Sequence, residues 1–255
     1  MKPMKIGTTI LVACAFIATL TFAEQGSVPV NKDNMKGGEQ FHESYMHQSA
    51  INNFSDQSLG EIARENSPLK ESDLAFGFAA KSDEAKFFLV GSLYSESLAY
   101  LNSAEMADAA ERLKAIERQF IGLGVPRSLY NYVSKMRNMV ETGKYDPKLS
   151  AELLSLFQPF FEDYAEGQSE DKLILFRAGL WLFDMTLTAA AGDLALLKQT
   201  ETLDYFKGEM QRMDAPQGVI RALDEISKIV SKDKVSDRDV RNILRQVKRI
   251  QTILG

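Results

Sequence analysis

From Pro68 to the C-terminus, apolar residues recur with the 3.6-residue period of an α-helix almost without interruption. No convincing stretch alternates with the two-residue period of a half-buried strand, so this part of the chain is expected to be all-α. The periodic part also matches itself. At an offset of 90, Leu113 to Tyr164 lies without gaps over Leu203 to Leu254, pairing Leu113 with Leu203, Ile116 with Phe206, Val133 with Leu223 and Phe157 with Val247. The turns coincide too: Val125-Pro126 meets Ala215-Pro216, and Lys144-Tyr145-Asp146 meets Lys234-Val235-Ser236. An offset of 88 joins the preceding helices through Gly91/Gly179 and Leu93/Trp181. Helical register alone is easily matched, and the agreement through turns is what makes an internal duplication worth entertaining.

Helices are expected at about 68–80, 83–101, 104–122, 127–141, 147–165, 170–191, 194–212, 216–231 and 237–253. Asp146 can cap a helix beginning at Pro147, and Ser236 with Asp239 resembles a capping box. Connections of two to six residues make successive helices antiparallel neighbours, giving stacked hairpins in two four-helix units near 86–165 and 173–254. The pattern Phe87-x-x-Val90-Gly91-x-x-Tyr94 resembles the first-helix pattern of tetratricopeptide repeats, in which a small residue lets the paired helix approach. That resemblance covers eight positions and implies a peptide-binding concave face. The following helix is too long, and Pro126 too distant, for the family's 34-residue unit.

The N-terminus reads as an export signal: Lys2 and Lys5, an apolar run from Ile6 to Phe22, and Thr21-Phe22-Ala23 as a cleavage site. Leu11-Val12-Ala13-Cys14 is a rival, lipobox-like reading, and an uncleaved anchor is a third. The domains are then 1–23 signal peptide, 24–67 flexible leader with one short helix near Leu59 to Arg64, and 68–255 helical domain. Cys14 is the only cysteine, so the cleaved chain has no disulfide and depends on burial for stability. No later stretch reads as long and charge-free enough to span a bilayer. Without Lys2 and Lys5 the formal charge moves from −5 to −7, which argues against nucleic-acid binding.

The chain lacks the usual signatures of catalysis, phosphate binding and cysteine metal sites, and its histidines, His42 and His47, both fall in the leader. No catalytic residue and no cofactor are therefore assigned. Three groups remain. Glu96 and Asp184 correspond at the 88-residue offset and interrupt helices that are apolar on nearly all sides, so they could meet in the core and hold a metal or a proton. Against this, Arg177, Asp184 and Thr188 form one polar stripe, and Ser92 or Tyr100 could satisfy Glu96. Phe157, Phe160, Phe161 and Tyr164 share a helix face kinked by Pro159; with Trp181 they make either core or an apolar pocket. Arg241, Arg245, Lys248 and Arg249 lie along one face of the last helix, as a solvated face or as a surface for an acidic partner or anionic lipid.

Together these features read as an exported protein of the bacterial envelope, a non-enzymatic helical binding or assembly module whose partner is another envelope protein or peptide. The alternatives are a metal protein or enzyme built on Glu96 and Asp184, and a carrier of an apolar small molecule.

Overall fold

The two apolar helices singled out by the sequence, α2 (Asp83–Asn102) and α7 (Glu170–Ala191), pack against each other along the most extensive helix interface in the protein. The structure, a computed structural model, describes residues 57–68, 82–191 and 197–255, all within the compact unit 36–255. The expected signal peptide, Cys14, both histidines and nearly all of the expected helix at 68–80 lie outside the described residues. The described residues are helical and include no strand: α1 (Gln57–Asn66), α3 (Met106–Leu123), α4 (Arg127–Glu141), α5 (Pro147–Ser155), α6 (Phe157–Gln168), α8 (Thr200–Arg212), α9 (Gln217–Val230) and α10 (Asp237–Leu254) complete the set.

Glycine brings the central helices together. A Cβ on Gly91 would collide with the Phe176 carbonyl and stand 3.0 Å from the Leu180 nitrogen; one on Gly179 would collide with the Phe88 carbonyl and stand 3.0 Å from the Ser92 nitrogen. The same offset of 88 carries each of these residues onto its counterpart, so the contact is reciprocal. Ser92 Oγ donates across it to the Gly179 carbonyl at 3.1 Å. Lys172 stands 5.6 Å over the Phe87 ring, which places the N-terminal ends of both helices on the same side. Gly91 thus admits a close helix, as the tetratricopeptide-like pattern implies, but that helix is α7 rather than the following α3.

The helices around this pair follow the turn chemistry. Gly124 and Asp214 both adopt left-handed backbone, at φ 63° and 52°. Val125 N–H then bonds to the Phe120 carbonyl at 3.3 Å, and Ala215 N–H to the Met210 carbonyl at 2.9 Å. Pro126 and Pro216 follow and launch α4 and α9. Asp146 accepts the Leu149 N–H and Ser236 the Asp239 N–H, at 3.0 and 3.3 Å, to start α5 and α10.

Two expected helices differ in form. The segment expected at 147–165 is divided at Leu156 into α5 and α6. Pro159 has no N–H to offer the Ser155 carbonyl. Tyr132 Oη donates to the Leu153 carbonyl at 2.5 Å, and Tyr94 Oη lies 3.4 and 3.5 Å from the Leu154 and Ser155 carbonyls. The helix expected from 194 begins at Thr200, because Lys198 and Gln199 are not helical. Instead the Gln199 side chain accepts the Trp181 indole N–H at 2.9 Å.

By length and composition α7 could also cross a bilayer, contrary to the sequence expectation, but 89 % of its most apolar window is buried within the protein. Here it serves as a core helix.

Candidate functional site

Glu96 is fully buried in α2, and its counter-ion comes from α3: Arg112 Nε donates to Glu96 Oε1 at 2.8 Å. Arg112 also donates to Tyr100 Oη at 3.1 Å, with its guanidinium carbon 4.8 Å from that ring's centroid. The charges continue outward. Asp108 lies 3.7 Å from Arg112 Nη1 and accepts from Arg64 of α1 at 3.1 Å, and Arg64 also pairs with Glu105. Burial raises the Glu96 carboxyl above its ordinary range, although Arg112, Ser67 and Tyr100 favour its ionised form. Arg112 is held charged despite burial, chiefly by Glu96. Tyr100 therefore serves Glu96 by its own side-chain hydrogen bond as well as through Arg112, while Ser92 bonds to α7.

Arg177 grips a different acid from the one its helical stripe suggested. Its Nε and Nη2 donate to Glu162 Oε2 at 3.1 and 2.5 Å, and Gln158 donates to Glu162 Oε1 at 2.8 Å. Asp184 is fully buried, and the Thr188 hydroxyl donates to the Asp184 backbone carbonyl at 3.0 Å. Among the described residues, no three His, Cys, Asp or Glu side chains gather into a group able to hold a metal.

Phe157 and Phe161 are fully buried and fill their own surroundings. Phe161 stacks on Phe120 with centroids 5.2 Å apart and meets Phe176 at 4.8 Å. Tyr164 is half-buried and donates to the Leu123 carbonyl at 3.2 Å. Phe160 leaves this group and is 59 % exposed, because the break at Leu156 turns Phe157, Phe161 and Ala165 inward. Trp181 is a separate core residue, stacked on Phe206 at 4.8 Å.

The outer face of α10 is built differently. Arg241, Arg245, Lys248 and Arg249 are all exposed, and Arg238 extends their row by one turn. Ile243, Val247 and Ile250 are buried on the opposite face. No acidic side chain follows Asp239, and none of the five cations has an acidic partner among the described residues. Elsewhere, Arg64, Arg112, Arg137, Arg177 and Arg212 pair with carboxylates, whereas Arg127 and Arg221 are exposed singly without an acidic partner among the described residues. Cations near a helix C-terminus complement the helix dipole, which accounts for Lys248 and Arg249. It does not account for Arg238 and Arg241, in the first two turns of α10, where that dipole disfavours positive charge.

Sequence reasoning missed Arg112 and Glu162 as partners, although both left a signal. Arg112 shares the buried face of α3 with Ala109, Leu113 and Ile116, and Glu162 sits beside Phe161 on the buried face of α6. A charged residue on an apolar face announces a buried partner. No family model matches the chain, and no curated protein or solved structure matches it either.

Proposed function

We propose that this is an exported protein of the bacterial envelope, periplasmic or secreted after cleavage near Ala23, and that it works as a non-enzymatic helical binding module. Its docking surface is the outer face of α10, and its partner is an acidic segment of another envelope protein. The observation that carries this reading is the row Arg238, Arg241, Arg245, Lys248 and Arg249, unpaired on a chain whose overall charge is negative. A basic stripe on an acidic protein attracts acidic partners. The buried acids favour a scaffold role, since Glu96 and Glu162 are each engaged by an arginine. The reciprocal glycines and matched turns support regarding the units near 86–165 and 173–254 as copies of one four-helix ancestor.

A photo-crosslinking residue at Arg241, used in the native envelope, tests the docking surface. A discrete adduct is expected, with the crosslink mapping to an acidic segment and with Arg238→Glu plus Arg245→Glu abolishing it. An adduct that survives this charge reversal, or reproducible catalytic turnover by the purified protein, would overturn the reading.

A further inference from the structure

Beside the stripe, α10 forms one wall of a cavity of about 290 Å³. Leu244, Arg245, Lys248 and Gln251 line it from α10, Thr186 from α7 and Asn66 from the end of α1. None of the six is acidic. Arg245 and Lys248 bring two cations to its wall. Thr186 spends its hydroxyl proton on the Leu182 carbonyl, and Asn66 spends one amide proton on the Ile62 carbonyl. Gln251 is only 9 % exposed, and its side-chain nitrogen is buried without a hydrogen-bond partner.

A buried N–H without an acceptor is costly, and native proteins seldom leave one so. This one lies three residues after Lys248, on the same side of α10, in the wall of a cavity carrying two positive charges. An anionic oxygen entering there would lie beside both cations, and a turn of the Gln251 side chain would bring its buried amide nitrogen to the same oxygen. The two cations, with no acid among the described lining residues, match a dianion better than a single carboxylate. The volume is near the lower end of small-ligand pockets, roughly 300 Å³, which suits a phosphate carrying a short organic group against Leu244. Because α10 presents its carbonyl end here, its dipole gives an anion no help, and side-chain donors must supply the attraction.

We infer that the cavity between α10, α7 and the end of α1 binds a phosphate dianion, free or as a small monoester, through Arg245, Lys248 and Gln251. This site goes beyond the docking reading: Arg245 and Lys248 serve both, whereas Arg238 and Arg241 do not line the cavity.

Titration calorimetry of the purified protein at fixed ionic strength tests it, with inorganic phosphate and glycerol 3-phosphate as probes. Vesicles of phosphatidylcholine with or without phosphatidic acid form a second arm. One-to-one binding of a free probe is expected. Gln251→Leu keeps both cations and should weaken binding about tenfold or more, while Arg245→Ala with Lys248→Ala should abolish it. Arg238→Ala with Arg241→Ala should leave the affinity within about twofold, although it removes two of the five cations of the docking stripe. Binding only to phosphatidic acid vesicles, still sensitive to Gln251→Leu, would support the site and identify a lipid headgroup as its phosphate source. Unchanged affinity in Gln251→Leu would overturn the inference, as would absence of binding to every probe. Crosslinking at Arg241 that persists without phosphate binding would leave the docking reading standing; phosphate binding without any crosslink would do the reverse. Circular dichroism of each variant separates lost binding from lost folding.

Discussion

The helices from Asp83 to Gln168 and those from Glu170 to Leu254 share their turns but differ in their arginine–glutamate pairs and in the outer face of their last helix. In the first set the polar chemistry points inward: Arg112 holds Glu96, Arg177 of α7 reaches in to Glu162, and two tyrosines serve the carbonyls around the break at Leu156. Its core is crowded with rings, among them Phe87, Tyr94, Phe120, Phe157 and Phe161. The second set relies more on aliphatic side chains, such as Leu203, Val219, Ile226, Val230 and Val247. Its last helix, α10, is unbroken and turns five unpaired cations outward. Where the sets agree, the shared residues fix backbone: two glycines at a helix contact, two left-handed turns and two caps. Their difference on the last helix is a difference of surface, and this is why binding is sought on α10.

The largest effect should come from the residues the two sets share. Gly91→Ala and Gly179→Ala each drive a methyl group into a backbone carbonyl, which cannot swing aside as a side chain can. Each loss should exceed the ~1–3 kcal/mol typical of overpacking and leave little folded protein by circular dichroism. Gly208→Ala, in a helix with nothing near the added methyl group, should instead gain up to about 1 kcal/mol. If Gly91→Ala unfolded the protein while Gly179→Ala were silent, the contact would not be the reciprocal one described.

Next in size is the inward polar chemistry of the first set. Arg112→Met leaves Glu96 buried without its counter-ion and should cost about 3–5 kcal/mol in urea unfolding. Glu96→Gln keeps an acceptor for Arg112 and should cost less. It should also change the pH dependence. Burial raises the Glu96 carboxyl above its ordinary value of 4.5, so on raising the pH the unfolded chain releases this proton before the folded one does. Stability contributed by this group is therefore greatest below 4.5, declines as pH rises through the window up to the raised folded value, and stays reduced above it. Asp239 of α10 behaves in the opposite sense. Lys232 and then the Ser236 N–H lower it to about 2, so its contribution is present above 3.8 and is lost as pH falls through about 2. Subtracting the stability profile of Glu96→Gln from that of the wild type should isolate the first slope, and a flat difference across this window would refute it.

The legible parts of the fold are those governed by neighbours in sequence. Pro126, Asp146 with Pro147, and Ser236 announce helix starts at 127, 147 and 237, and the structure has them there. Pro159 announced a kink, although not that the resulting turn would expel Phe160. Partner choice was much less legible. Arg177 lies seven residues from Asp184 on one helix, yet Glu162 in the preceding helix holds it, because chain reversal brings α6 against α7. Gln251 passed unnoticed for a related reason: one amide at the end of an apolar face resembles surface until the cavity beside it is seen. The four cations from Arg241 to Arg249 were legible as a face; that none finds an acid required the packed structure.

Loss of the corresponding caps should have a smaller effect. Asp146→Ala and Ser236→Ala each remove the acceptor for an N–H in the first helical turn and should each cost about 1 kcal/mol. Ser236→Ala should cost more, because it also removes the hydrogen bond that the Ser236 hydroxyl donates to the Asp239 carboxylate. Equal losses would mean that this second bond of the hydroxyl adds no stability.

The smallest effect on folding is expected where the two sets differ most. Arg238, Arg241 and Arg245 are exposed and lack acidic partners, so reversing any one to Glu should change the unfolding free energy by no more than about 0.5 kcal/mol. Asp237 and Asp239 occupy the first turn of α10, and Arg238→Glu would add a third acid at the end whose dipole favours negative charge. Arg238→Glu should therefore be neutral or slightly stabilising, and Arg245→Glu, nearer the opposite end, slightly destabilising. A structural stripe would behave otherwise, with each reversal breaking an ion pair and lowering stability together. Urea midpoints for the three single reversals decide between these outcomes. Changes this small would show that the fold does not depend on the stripe.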